Sequence, residues 1–224
     1  MVRTKLKKVM LINNSNFIEV GDKGVPGMMP GSQSYLDWWG EQKRRCIEGY
    51  SVGGKWMPGR LYFYVNFWNI ERSVRSGSRK GLGYPDLRDI EWDFFPKFEK
   101  CRGLSGLKDG VPMYDGDISG MELISGRGCG KSYWASVIVG YEYTFFRNSE
   151  ILVTAHETKY SQPLMNKVKV GLNKIPGDIE IGGKVYPSPF KHRRIKSDFR
   201  TEVRSGYINR VNGMDNYMGY DSRI

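Results

Sequence analysis

The sequence predicts an α/β fold with a parallel sheet, preceded by an α+β region, and three observations predict it. A glycine-rich octet, Ser125-Gly126-Arg127-Gly128-Cys129-Gly130-Lys131-Ser132, follows the short apolar run Met121-Glu122-Leu123-Ile124. The segment behind it places Trp134, Val137, Ile138, Tyr141 and Phe145 at steps of three and four, as a helix with an apolar stripe does. The run Ile151-Leu152-Val153-Thr154-Ala155 is short and continuously apolar, as expected of a parallel strand covered on both faces. Strand, glycine loop, helix and strand arrive in that order over the roughly 30 residues that one βαβ unit takes.

A glycine-rich turn between strand and helix that ends in Gly-Lys-Ser has the chemistry of a nucleotide phosphate-binding loop. Glycines let successive backbone N–H groups turn inward around a phosphate, and the helix N-terminus adds partial positive charge. On that reading all eight residues, Ser125 to Ser132, bind the nucleotide. Lys131 reaches the β/γ oxygens of ATP and the Ser132 hydroxyl holds Mg²⁺. The loop departs from the strict pattern, with Ser125 where glycine is usual five positions before Gly130 and Gly126 one place later. The plainer alternative is a simple helix-start turn with a surface lysine. Arg127 reads either as a stabiliser of γ-phosphate charge or as a solvent-facing loop side chain.

Composition sets the class. The chain has 224 residues, 39% hydrophobic with 6 Trp, 14 Tyr and 10 Phe, which argues for a packed protein and against disorder. Its net charge of +11 suggests a polyanionic partner, nucleic acid before others, although a solvated basic surface explains charge alone. Cys46, Cys101 and Cys129 are widely spaced, which fits neither a disulfide framework nor a zinc site. The two histidines, His156 and His192, exclude a His-rich metal centre. No apolar run approaches the roughly 18 residues of a spanning helix. Behind the basic start the run Val9-Met10-Leu11-Ile12 is too short for a signal peptide, so the expectation is a soluble, intracellular protein.

Residues 1–20 read as a basic, strand-forming leader, and residues 21–32 as a loop holding four glycines and two prolines. Residues 35–47 fit an amphipathic helix carrying Leu36, Trp39 and Ile47. Residues 60–70, Arg-Leu-Tyr-Phe-Tyr-Val-Asn-Phe-Trp-Asn-Ile, are aromatic and rich in β-formers, predicting a buried strand or a flat aromatic platform. Residues 71–83 read as a loop. Beyond Pro85, Ile90, Phe94, Phe95 and Phe98 recur at helical spacing. Residues 103–120 carry five glycines and one proline, placing a domain boundary near 110. The organisation expected is therefore an N-terminal region, 1–110, and the first part of an ATPase core, 111–224. A second helix carries Leu164, Val168, Leu172 and Ile175 and ends at Pro176-Gly177, and residues 178–186 and 201–211 are strand-like.

Other constellations are weaker. Hydrolysis needs a second acidic site, an Asp ending a hydrophobic strand and usually followed by Glu. No Asp-Glu dipeptide occurs, and Tyr220-Asp221 lacks an apolar run before it. The expectation is that the acidic strand lies beyond Ile224, with a binding-only protein as the alternative. Asp86, Asp89, Glu91 and Asp93 scatter around the start of a helix, where acids complement the dipole without holding metal. Lys191-His-Arg-Arg-Ile-Lys196, with Arg200 and Arg204, is the densest basic cluster, fit for phosphate contact or for a solvated strand edge. Tyr62, Phe63, Tyr64, Phe67 and Trp68 could supply a ring to stack on adenine, but runs of this kind more often build a core.

The octet, with arginine three places before its final glycine, resembles the variant phosphate loop of phage terminase large subunits. The stretch Gly59-Arg-Leu-Tyr-Phe-Tyr-Val-Asn-Phe-Trp68 and the strand Ile151-Leu-Val-Thr-Ala-His-Glu157 resemble the same family, so the likeness covers about residues 55 to 175. It implies an ATP-driven motor that moves double-stranded DNA into a procapsid as a ring of subunits, with portal protein and small terminase subunit as partners and no membrane. It implies ATP and Mg²⁺ as cofactors, Lys131 and Arg127 as the catalytic pair with Arg127 on the γ-phosphate, and Ser132 as the Mg²⁺ ligand. The family's acidic strand and nuclease carboxylates have no counterpart here, so the expectation is weak ATP binding, little hydrolysis and no DNA cleavage. Two other readings stay open: a different DNA-stimulated ATPase of helicase or conjugation type, and a nucleotide-binding DNA accessory protein that does not hydrolyse.

Overall fold

The computed structural model describes residues 32–72, 81–85, 87–146, 150–155, 158–175, 179–181, 184–186, 201–203 and 206–212. These fall into two compact units. The first lies within Met1–Phe67, Tyr84–Gly126 and Asp178–Pro189, the second within Trp68–Gly83, Arg127–Gly177 and Phe190–Ile224.

In the first unit, helix α1 (Gln33–Glu48) is followed by the antiparallel pair β1 (Tyr50–Val52) and β2 (Lys55–Met57) and by helix α2 (Gly59–Phe67). The charged face of α1 is laced by Arg44 and Arg45 onto Glu41, and Trp39 and Cys46 turn inward. Residues 60–70 were expected as a strand or flat platform, and α2 corrects this. Every residue from Gly59 to Phe67 is buried, so the segment has no polar face whose spacing could separate a buried helix from a buried strand. Tertiary packing then overrides β-propensity. Pro58 starts the helix by accepting from the Tyr62 amide at 2.9 Å. Gly59 lets α2 touch the end of α1, because a Cβ there would stand 2.1 Å from the Cys46 carbonyl oxygen. As expected of a core, the rings bury themselves: Tyr64 packs on Phe95 at 5.7 Å and Phe67 on Trp39 at 6.2 Å between centroids.

Helix α3 (Asp89–Cys101) opens on Arg88, whose backbone N–H donates to the Glu91 carboxylate at 2.9 Å. Phe94 and Phe95 face the core, while Ile90 is exposed. Between α2 and α3 lies a buried ion pair, Arg60 at 3% and Glu99 at 1% exposure, bonded at 2.6 and 2.7 Å. The Tyr114 hydroxyl also donates to Glu99, at 2.6 Å. Strands β5 (Gly106–Lys108) and β6 (Val111–Met113) form a hairpin. Its two-residue turn, Asp109-Gly110, has positive φ at both positions (52° and 81°), the primed geometry that Asp-Gly favours.

In the second unit, β3 (Ile70–Arg72) pairs antiparallel with β4 (Gly81–Gly83). Helix α4 (Lys131–Phe145) leads to β7 (Glu150–Ala155) and helix α5 (Thr158–Asn173). The pair β8 (Ile179–Ile181) and β9 (Lys184–Tyr186) belongs to the first unit. Strands β10 (Thr201–Val203) and β11 (Gly206–Asn212) pair antiparallel, and β11 runs parallel to β7 from Tyr207↔Glu150 to Asn212↔Ala155. The helices α4 and α5 pack on each other and on the β7–β11 pair.

One expected strand is absent. Residues 121–124 belong to no strand, and Met121, Leu123 and Ile124 are exposed, Ile124 at 87%. Four residues with one acid among them carry too little apolar surface to hold a strand without a neighbouring strand to bond.

Candidate phosphate-binding loop

The octet forms a turn over residues 127–129 that runs straight into α4. Gly128 has φ 83° and Gly130 φ 95°, ψ 3°, both left-handed, a region where a side chain is strained. Sequence dictates this shape: glycine alternates with Arg127, Cys129 and Lys131, so the left-handed turns fall on residues without a Cβ. Gly130 is the N-cap of α4 and offers no side-chain cap. Its carbonyl accepts from Tyr133 N at 2.8 Å and Trp134 N at 3.1 Å, closing the first helical turn. Lys131 and Ser132 thus occupy the first two helical positions, where main-chain N–H groups point off the helix end and the macrodipole is positive.

Exposure separates the roles. Arg127, Gly128 and Ser132 are exposed, while Cys129, Gly130 and Lys131 are half-buried. Nothing lies within 4 Å of the place a Cβ of Gly128 would take, so the backbone there is open to an incoming anion. Ser125, half-buried, and Gly126, exposed, precede the turn and belong to the first unit's stretch of chain.

Support for α4 comes from residues that the motif does not contain. Trp68 is 0% exposed, and its indole lies against α4 at Gly140 and α5 at Gly171. Trp68 Nε1 donates to Ser136 Oγ at 3.2 Å, and Ser136 Oγ donates to the Tyr133 carbonyl at 2.8 Å. The Tyr133 hydroxyl donates to the Glu71 carbonyl of β3 at 3.0 Å, and burial, chiefly, raises the pKa of that phenol. Lys167 of α5 sits over the Tyr133 ring at 5.3 Å. The signal available in the sequence was the pair of glycines inside helical patterns, Gly140 and Gly171, since an interior helix glycine marks a close approach.

Of the remaining candidates, Asp86 and the basic residues Lys191, Arg193, Arg194, Lys196, Arg200 and Arg204 lie outside the described residues. Glu91 caps α3 and Asp93 pairs with Lys97 at 2.8 Å. Among the described residues no group of three or more His, Cys, Asp or Glu side chains could hold a metal ion, and no helix is long and apolar enough to cross a membrane. No protein-family model matches the chain, and no curated protein matches it.

Proposed function

We propose that the chain is the ATP-binding portion of a viral DNA-packaging terminase large subunit, which couples ATP hydrolysis to translocation of double-stranded DNA into a procapsid. The observation that carries this reading is the pair of left-handed glycines, Gly128 and Gly130, set directly before a helix whose first residues are Lys131 and Ser132. Bare backbone at Gly128 and the amino end of α4 suit a polyphosphate, because both offer main-chain donors to oxygen anions. Lys131 adds a full charge beside the β/γ oxygens, and Ser132 supplies a hydroxyl ligand for Mg²⁺. The metal contributes neutralisation of phosphate charge when bound. The Arg127 guanidinium, exposed at the head of the turn, serves the γ-phosphate.

The net charge of +11 suits a motor that holds DNA by its phosphates. Portal protein, the small terminase subunit and further copies in a ring are the partners of this reading, at the procapsid in the host cytoplasm. The test is ATP binding and turnover by the full chain, with and without double-stranded DNA, against Lys131→Ala. Loss of one charged donor weakens ATP binding roughly tenfold or more. Equal binding by the two proteins contradicts the proposal. Without the acidic strand, turnover by this chain is expected to be slight on either reading, so the binding comparison decides, and DNA-stimulated turnover, if found, favours the motor over the accessory reading.

A further inference from the structure

We infer that the segment from Trp68 to Glu71 is a two-point tether that fixes the first turn of α4, making Trp68 and Tyr133 positioning residues for the phosphate loop. The inference rests on the nucleotide reading for its functional consequence but not for its geometry. At one point Trp68 Nε1 donates to Ser136 Oγ at 3.2 Å, and Ser136 passes the constraint back to the Tyr133 carbonyl at 2.8 Å. At the other, the Tyr133 hydroxyl donates to the Glu71 carbonyl at 3.0 Å. Tyr133 is thereby held by its main chain and by its side chain, and it directly follows Ser132.

The anchor end of this tether is rigid. The Trp68 indole is fully buried, and a Cβ at Gly140 or Gly171 would stand 2.1 or 2.2 Å from its ring atoms. Two helices have given up side chains to let the ring in, so Trp68 cannot move without moving them. A helix start is otherwise the part of a helix that frays most readily, because its first amides lack intrahelical acceptors. Gly130 provides no side-chain cap to offset this. The first turn that carries Lys131 and Ser132 is therefore braced from the side, through Tyr133 and Ser136.

Ser136→Ala removes the acceptor for the indole, and Tyr133→Phe removes the hydroxyl, each with little change of volume. Two measurements on the full chain separate the possibilities. In the absence of nucleotide, amide hydrogen exchange over residues 131–136 accelerates by about fivefold for each variant and more for the double variant. Exchange over residues 164–172 of α5 stays as in the wild type. MgATP binding to the double variant weakens by about fivefold at an unchanged α-helical circular dichroism spectrum. Unchanged exchange in residues 131–136 overturns the tether, and so does acceleration spread equally over α4 and α5. Local acceleration with unaltered MgATP affinity overturns the positioning role. If the wild type fails to bind MgATP while local exchange accelerates, the tether stands and the nucleotide reading falls.

Discussion

Replacing Gly140 by alanine puts one methyl group where the structure has a tryptophan ring. The new Cβ would stand 2.1 Å from Cη2 and 2.4 Å from Cζ3 of Trp68. Carbon atoms in contact sit about 3.5 Å apart or more, so the ring or the helix must yield by over an ångström. The indole is also confined by α5, where a Cβ at Gly171 would stand 2.2 Å from Cε2. Alanine gains about 1 kcal/mol over glycine in a helix interior, which works the other way. Overpacking against two helices costs about 1–3 kcal/mol, occasionally more, and backbone on both helices leaves little room to relax. With the overpacking at the upper end, about 2–3 kcal/mol, less about 1 kcal/mol for the helix preference, the net loss is about 1–2 kcal/mol, or a fall in Tm of about 2–8 °C for a chain of this size. Urea unfolding followed by far-ultraviolet circular dichroism measures it. Trp68→Phe removes part of the obstructing ring, so the double variant should lose less than the sum of the two single losses. A Gly140→Ala protein as stable as wild type, or strict additivity with Trp68→Phe, refutes the packing argument.

Three further outcomes rest on other contacts of the same fold. Arg60→Met leaves Glu99 charged and buried without its guanidinium, so stability should fall by about 3–5 kcal/mol, whereas Arg60→Met with Glu99→Leu should recover much of it, as unfolding curves would show. Glu41, whose pKa is lowered to about 2 by its hydrogen bond to Arg44 and by Arg45, stabilises the fold above the ordinary carboxylate range and stops doing so as pH falls toward 2. Since the pair is largely exposed, Glu41→Gln should cost under about 1 kcal/mol at pH 7, a difference that vanishes by pH 2 in acid titrations of stability. Cys129 is half-buried inside the turn, so MgATP should slow its alkylation by a maleimide in wild type and not in Lys131→Ala, read by peptide mass spectrometry; alkylation at the same rate with and without MgATP contradicts that placement.

How much of this was legible in the residues varies with the physics of each element. The helices α1, α3 and α5 declare themselves because each has polar positions that expose the 3.6-residue period, and β7 because it is short, apolar and bounded; α4 is apolar nearly all round, so Val139 and Tyr143 are buried outside the expected stripe while its Ile138 and Phe145 are half-buried. Helix α2 does not, since with every position buried the period carries no information. Residues 121–124 have strand-like composition, but a strand is a property of a pair and its partner cannot be read from four residues. The helix read from Trp134 onward starts at Lys131, and at the loop glycine spacing marks only where the backbone can turn left-handed, as Gly128 and Gly130 do. It says nothing of the Trp68–Ser136 and Glu71–Tyr133 bonds, which join residues over 60 positions apart. The aromatic run, offered as either core or base-stacking platform, is core, because rings this large bury more area against one another than a flat exposed surface allows.

The central claim is that main-chain amides of residues 127–132, all in the second unit, receive a nucleotide's phosphates at the start of α4. Amide resonances of the ¹⁵N-labelled chain, followed during MgATP titration, test it most directly. The account predicts saturable shifts concentrated at Gly128, Gly130, Lys131 and Ser132, lost in Lys131→Ala. Shifts that avoid these residues, or that persist unchanged without the lysine, would contradict it.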